Sequence, residues 1–464
     1  MIDRALLSRT AELAAEHLEA LGERHAGPLV GHAELRSALG GTLPERGLPA
    51  AEVIEALARD AAPGLVASPG PRYFGFVTGG ALPAALAADW LASAWDQNAF
   101  SAVSSPAAAV VEEVACGWLL ELLGLPSDSG VGLTTGAQMA NVTGLAAARG
   151  ALLTRAGWDV EEHGLSGAPR LRVLVGEEAH VTVWRALRLL GFGRSAVEAV
   201  PVDGQGAMRA DALADALAAD DRAAIVIAQA GNVNTGAIDP LADIVAAARE
   251  HGAWVHVDGA FGLWAAASPA LSHLVTGAGD ADSWATDGHK WLNVPYDCGV
   301  VAVRDRAAHV AAMGMTASYL VRTGDEDRTN SDWVPEASRR GRGFAVYAAL
   351  RSLGRDGAAE LVDRCCALAR RLASAVGTAD GVEVLNDVTL NQVLLRFGAD
   401  DAATDAVIGR VQADGTCWVG GTRWHGEAAM RVSVSSWSTT EADIDRTAAA
   451  ILSAAALSEP PPAS

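Results

Sequence analysis

The sequence predicts an α/β protein: a large domain on a mostly parallel sheet, a smaller α+β domain after it and a helical segment before it. Three observations carry that prediction. Between residues 73 and 348, apolar runs alternate with helix-like stretches, the rhythm of strands joined by crossover helices. The runs are continuous rather than alternating, as strands buried on both faces require. From residue 349 the rhythm gives way to one long helical pattern, then short strands and a closing helix.

Residues 1–72 read as helical and then irregular. Ile2, Leu6, Leu13 and Leu21 keep helical spacing, as do Val53, Ile54 and Leu57, and Gly and Pro punctuate the rest. So short an amphipathic start must lay its apolar stripe on another domain or another subunit. In the large domain, 73–348, strands are expected at 171–175, 196–200, 225–229, 254–258 and 299–303. Helices are expected at 181–190, 210–219 and 241–250. Sites in such sheets gather at the carboxyl ends of the strands. The C-terminal domain, 349–464, offers a helix at 353–376, strands at 382–385 and 392–397, and a turn at Gly420 and Gly421. A strand at 430–435 and a helix at 441–457 follow, and the tail SEPPPAS reads as disordered.

Composition bounds the partners. A net charge of −21 argues against nucleic acid and anionic membranes. No apolar run reaches 18 residues, and even the greasy stretch 81–95 contains Asp89. The N-terminus lacks the apolar block of a signal peptide. Five cysteines, at 116, 298, 365, 366 and 417, show no paired framework and suit reduced thiols of a cytoplasmic protein.

The chemistry centres on DSWATDGHKW, residues 282–291. Lys290 is the only lysine among 35 basic residues; every other is arginine. Arginine cannot lose its proton in a protein, whereas a buried lysine can, becoming a nucleophilic amine. The bland alternative is a chance survivor of biased composition. Upstream, WVHVDGAFG reads as a buried strand ending in the carboxylate of Asp258. An imine-forming lysine and a carboxylate for the pyridinium nitrogen are the two protein groups that pyridoxal phosphate (PLP) needs most.

Other candidates surround this pair. GLTTGAQMANVTGLAAAR, from Gly132, passes from a small-residue loop into a helix. Thr134, Thr135, Gly136 and Ala137 would let backbone amides approach an anion at the helix N-terminus, though an ordinary cap reads equally well. His180, in GEEAHVTVW, can stack on a planar ring or simply cap its helix. Asn232 and Asn234 follow a strand and can serve a cofactor or a turn. His251, His256 and Asp258 form no metal-ligand set, so no metal is expected.

Taken in order, these segments resemble the group II PLP-dependent amino-acid decarboxylases, the family of aromatic-amino-acid and glutamate decarboxylases, over about residues 70–355. SWATDGHKW resembles the family's lysine segment, HVDGAFG its aspartate segment and TTGAQMANVTGLAAAR its phosphate loop. EEAHVTVWRA, SPAAAVVEEVACGWLLELLGLP and SRRGRGFAVYAALRSLG also fit. The resemblance implies PLP-transferase fold type I, an amino-acid substrate and a homodimer with its site at the interface. It implies that Lys290 holds the cofactor, Asp258 pairs with the ring nitrogen, and Ala260 and His180 flank the ring. Ala137, Gln138, Asp287 and His289 match positions around the phosphate, and Ser338 would reach the partner's cofactor; Thr135, Gly136 and Asn232 join them as cofactor-binding candidates from their own loops. Gln138 and Asp287 depart from the commoner Ser and Asn. An Asp facing a phosphate would repel it, so Asp287 must contact something else or be neutralised by His289.

One departure bears on the reaction. Between Met315 and Arg339 the related decarboxylases carry a tyrosine that protonates the carbanion, and here the matching position is Asn330, with Trp333 at an aromatic position. Tyr319 falls too early. Leu82 stands where aromatic-acid decarboxylases tend to have Tyr. The leading expectation is decarboxylation of an L-amino acid to its amine through Lys290. The alternatives are a PLP-dependent carbon–carbon lyase or aldolase, an aldehyde-forming decarboxylation, and a transamination using Arg431.

Overall fold

The computed structural model describes residues 3–315 and 328–457. They form two compact units: the segments through Thr78, Arg370–Leu385 and from Val393 onward make one, and Gly79–Ala369 with Asn386–Gln392 the other. The first unit begins with helices α1 (Arg4–Ala20), α2 (His32–Leu39) and α3 (Ala50–Ala61). Asp3 caps α1 by accepting the Ala5 and Leu6 amides at 3.0 and 3.2 Å. None of the three helices buries a residue, and Leu7, Leu18, Leu39 and Leu57 stay exposed.

The larger unit opens with α4 (Pro83–Trp95) and α5 (Pro106–Leu122) and then alternates strand with helix. In order come β1 (Gly130–Thr134), α6 (Ala137–Arg155), α7 (Val160–His163), β2 (Arg172–Gly176), α8 (Val181–Leu189), β3 (Val197–Val200) and α9 (Ala210–Ala218). There follow β4 (Ala224–Gln229), α10 (Leu241–Glu250), β5 (Trp254–Asp258), β6 (Ser283–Asp287), β7 (Gly299–Val303), α11 (Arg306–Met313) and the start of α12 (Gly343–Val376). The sheet order is β1-β7-β6-β5-β4-β2-β3. Strands β3, β2, β4, β5 and β6 pair in parallel, whereas β7 runs antiparallel to both β6 and β1. The reason is the short connection. Residues 288–298 cannot carry a helical crossover, so the chain returns antiparallel, and that tight return holds Lys290.

The five strands expected in the large domain all form, within a residue at either end. β1 and β6 were not expected, because glycine in one and Ser283, Thr286 and Asp287 in the other hide the apolar signal; both are fully buried. Leu145, Leu152 and Leu153 of α6 pack with Val183 and Leu187 of α8 on Val173, Ile225, Trp254 and Val301, forming the core under one sheet face. The helix expected at 353–376 starts at Gly343 and is interrupted at Gly354, whose φ of 62° leaves the helical region.

The smaller unit's second part contains β8 (Val382–Val384), β9 (Gln392–Phe397), α13 (Asp401–Asp414), β10 (Gly420–Trp424), β11 (Glu427–Ser433) and α14 (Glu441–Ala456). Its sheet runs β10-β11-β9-β8. Gly420 and Gly421 are not a turn: they begin β10, paired with Arg431 and Met430. The reversal falls at His425 and Gly426, both with positive φ. Thr440 and Asp443 close a capping box on α14. Arg72, buried in the same unit, donates to Asp443 Oδ1 at 2.7 Å and to the Thr416 carbonyl at 2.8 Å. The tail 458–464 lies outside the described residues.

Candidate active site

Because β7 opposes both its neighbours, β1 and β6 share a direction with β5, β4 and β2. Their carboxyl ends therefore lie along one edge. Thr134, Asp258 and Asp287 end β1, β5 and β6, His180 follows β2, and Asn232 follows β4. The candidate residues reach one place from five segments of chain, as the open α/β rule requires.

Asp258 is 4% exposed, and its two oxygens are held separately. Oδ1 accepts the Ala260 amide at 3.2 Å and Oδ2 accepts Asn141 Nδ2 at 3.2 Å. Burial raises its carboxyl above the usual range, opposed by the nearby charges of His180 and then Lys290 and by these hydrogen bonds. Asp258, His180 and Lys290 thus share one electrostatic environment. His180 is also the N-cap of α8: its Nδ1 lies 2.7 Å from Thr182 Oγ1 and accepts the Thr182 amide. The capping role and a place beside Asp258 coexist.

Asp287 ends β6 with three contacts. Its Oδ1 accepts the Ala137 amide at 2.6 Å and lies 3.3 Å from His289 Nε2; its Oδ2 lies 3.0 Å from Lys290 Nζ. His289 Nδ1 accepts the Cys298 amide at 3.0 Å, so neutral His289 carries its hydrogen on Nε2, toward Asp287. Burial lowers the His289 pKa more than Asp287 raises it. The cation balancing Asp287 is therefore Lys290 rather than His289. The Lys290 side chain keeps 18% of its surface exposed, so the amine is reachable. Asn293 Nδ2 donates to the Lys290 carbonyl at 3.3 Å and its Oδ1 accepts the Gly80 amide at 2.6 Å, fixing the backbone behind the lysine.

These residues fit PLP. A reachable lysine, and a buried carboxylate that feels the charges of His180 and Lys290, suit its donor set. Gly136 precedes α6 with no side-chain cap, and a Cβ there would come 3.2 Å from His289, so the helix N-terminus opens onto His289 and Asp287. The fit asks one adjustment of an incoming phosphate, since Asp287 already occupies the Ala137 amide.

The remaining expected residues divide. Thr135 is half-buried in the loop before Gly136, and Gln138 Oε1 accepts from Arg185 at 3.4 Å. Asn232 makes a turn: its Oδ1 accepts the Asn234 and Thr235 amides at 2.8 and 3.2 Å, and its Nδ2 reaches the Glu178 carbonyl. Ser338 is exposed and accepts from Asn98 Nδ2 at 3.2 Å. Leu82 is buried at the N-terminus of α4.

Asn330 corrects an expectation. It is fully buried in a short turn, Asn330–Trp333, with Oδ1 accepting Arg328 Nε at 2.9 Å. Arg328 also donates to the Val131 carbonyl, near the start of β1, whereas the site gathers at its end. Asn330 is thus a packing residue, and the argument against amine formation drawn from it falls away. Tyr319 lies outside the described residues. Sequence reasoning also passed over Asn141, Ser283 and Asn293, polar residues whose partners come from distant segments.

A reachable lysine and a buried carboxylate at one edge of a mixed seven-stranded sheet fit a PLP-dependent enzyme of the α/β class. The chain belongs to the pyridoxal-dependent decarboxylases: the conserved domain of that family matches residues 33–397. It is 28% identical to an aromatic-L-amino-acid decarboxylase of Bacillus atrophaeus, covering 87% of this chain and 84% of that one. It is 33% identical to the L-2,4-diaminobutyrate decarboxylase of Rhizobium meliloti (strain 1021), over 68% of this chain and 62% of the relative. The crystal structure of Oryza sativa TDC with PLP and tryptamine superposes with a TM-score of 0.91 at 25% identity, covering 98% and 97% of the two chains. The protein is accordingly a PLP-dependent carboxy-lyase acting on an amino acid. Among the described residues no helix is long and apolar enough to cross a membrane.

Proposed function

We propose that this site converts an L-amino acid to its amine, with Lys290, Asp258 and His180 as the catalytic residues. The observation that carries the assignment is the meeting of the chain's only lysine with Asp258 and His180 at one sheet edge. When bound, PLP supplies an electron sink for the bond to the departing carboxylate. Asp258, held at both oxygens, would serve the ring nitrogen as an anionic acceptor, and His180 and Ala260 would hold the ring. The amides of Gly136, Ala137 and Gln138, with Thr135 and His289, would hold the phosphate at the N-terminus of α6. Asp287 would keep Lys290 in place and would release the Ala137 amide to the phosphate.

We also propose a cytoplasmic homodimer. All five cysteines are buried and none forms a disulfide among the described residues, which suits a reducing compartment. In the larger unit, exposed Trp90, Leu91, Trp95 and Val110 on α4 and α5 supply apolar surface for a second copy. Ser338, exposed beside Asn98, would then face the partner's site.

Borohydride reduction of the PLP-loaded protein tests the lysine assignment. The cofactor should become fixed on the single peptide containing Lys290; label spread over other peptides, or none, would remove the basis of the reading.

A further inference from the structure

Asp258 is the terminus of a hydrogen-bonded chain that runs one way through the core. The Trp254 indole, which can only donate, gives its N–H to Ser283 Oγ at 2.8 Å. Ser283 Oγ lies 2.8 Å from His256 Nδ1, and His256 Nε2 lies 2.8 Å from Asn141 Oδ1. Asn141 Nδ2 donates to Asp258 Oδ2 at 3.2 Å. Chemistry fixes the direction of every link. The Asn141 oxygen only accepts, so His256 Nε2 carries the hydrogen. Burial pushes the His256 pKa down to about 3, so the ring is neutral and its bare Nδ1 takes the Ser283 hydroxyl hydrogen.

The surrounding fold is shaped to this chain. Trp254, His256 and Asp258 share one face of β5, and Ser283 of β6 pairs directly with His256. Asn141 and Gly144 share one face of α6. A Cβ on Gly144 would come 2.8 Å from His256 Cε1, so the glycine makes room for the ring that orients Asn141. Asn141, His256 and Ser283 are each 0% exposed, which makes every unmet polar group here costly.

We propose that Asn141 is a positioning residue of the decarboxylase, oriented by Trp254, Ser283 and His256 so that its N–H, never its carbonyl, meets Asp258. A reversed Asn141 amide would turn an oxygen on the carboxylate and an N–H on His256 Nε2–H. In the observed sense, Asn141 and the Ala260 amide each bind one oxygen of Asp258, favouring its ionised form and leaving its other lone pairs for the ring N–H of PLP. The inference rests on Asp258 as the partner of that nitrogen.

The test loads the full-length protein with PLP isotopically labelled at its ring nitrogen and reads the nitrogen by NMR, alongside PLP affinity by fluorescence titration. The unsubstituted protein should show a protonated ring nitrogen. Asn141→Leu should move that signal toward the unprotonated position and weaken PLP binding about tenfold, the loss of one hydrogen bond to a charged group. Ser283→Ala, two links away and free of cofactor contact, should move the signal less but in the same direction, and Ser283→Thr should restore it. An unmoved signal in Ser283→Ala overturns the oriented chain, even if Asn141→Leu fails to fold or shifts the signal alone. An unprotonated nitrogen in the unsubstituted protein would instead remove the Asp258 reading, and the proposal with it.

Discussion

The carboxylate of Asp287 accepts the Ala137 amide at 2.6 Å, placing a negative charge at the N-terminus of α6. Helix N-termini attract anions, and this one is partly satisfied before any phosphate arrives. Lys290, 3.0 Å from the other oxygen, balances that charge. Asp287→Asn keeps the shape and removes the repulsion. PLP affinity of this variant, measured by fluorescence titration, should rise several-fold, or about 1 kcal/mol. Unchanged or weaker binding would mean that Asp287 matters more for placing Lys290 than it costs at the phosphate.

Gly79 meets the backbone of the lysine loop. A Cβ there would lie 1.9 Å from the Lys290 carbonyl oxygen, with no flexible side chain able to give way. Gly79→Ala should destabilise the protein by about 3 kcal/mol and lower PLP occupancy. Denaturant unfolding and the visible absorbance of the loaded protein check both effects.

Acid sensitivity follows from two buried histidines. Burial pushes His256 down to about 3 and His309 to about 4, the latter despite a hydrogen bond to the Trp333 carbonyl at 2.9 Å. Both stay neutral when folded but take up protons near pH 6.5 when unfolded. The unfolded state thus binds more protons below that pH, and stability falls on acidification from pH 6.5 toward the folded values. At pH 5 the expected loss is about 2 kcal/mol for each histidine relative to neutral pH. Denaturant unfolding of wild type and His309→Gln at pH 7 and pH 5 should show the variant losing less on acidification.

Much of this was legible in the sequence. Lys290 and Asp258 stood out because a lone lysine among arginines and a carboxylate closing an apolar strand are chemically unusual. Strand β6 was not legible, since its Ser, Thr and Asp hide the apolar signal that β5 and β7 bury. The role of Asn141 depends on His256, 115 residues away, and no local pattern encodes that pairing. Gly420 and Gly421 suggested a turn by composition, yet the turn formed where His425 and Gly426 adopt positive φ. Position 330 misled for a similar reason: matching by position gives a place in the chain but not a side of the sheet.

Asn330 accordingly yields a prediction opposite to its sequence reading. Its side chain is fully buried and bonded to Arg328, so the larger tyrosine side chain would have to displace its neighbours. Asn330→Tyr should cost roughly 2 kcal/mol of stability and should not raise amine formation. Thermal unfolding and product assay of the variant read both outcomes.

The most direct test of the central claim is the ratio of carbon dioxide to amine formed by the PLP-loaded protein over a panel of L-amino acids, with Lys290→Ala as the control. One equivalent of amine for each carbon dioxide, from at least one acid and lost in the variant, is the predicted result. Carbon dioxide accompanied by aldehyde instead of amine, or release that persists without Lys290, would contradict it.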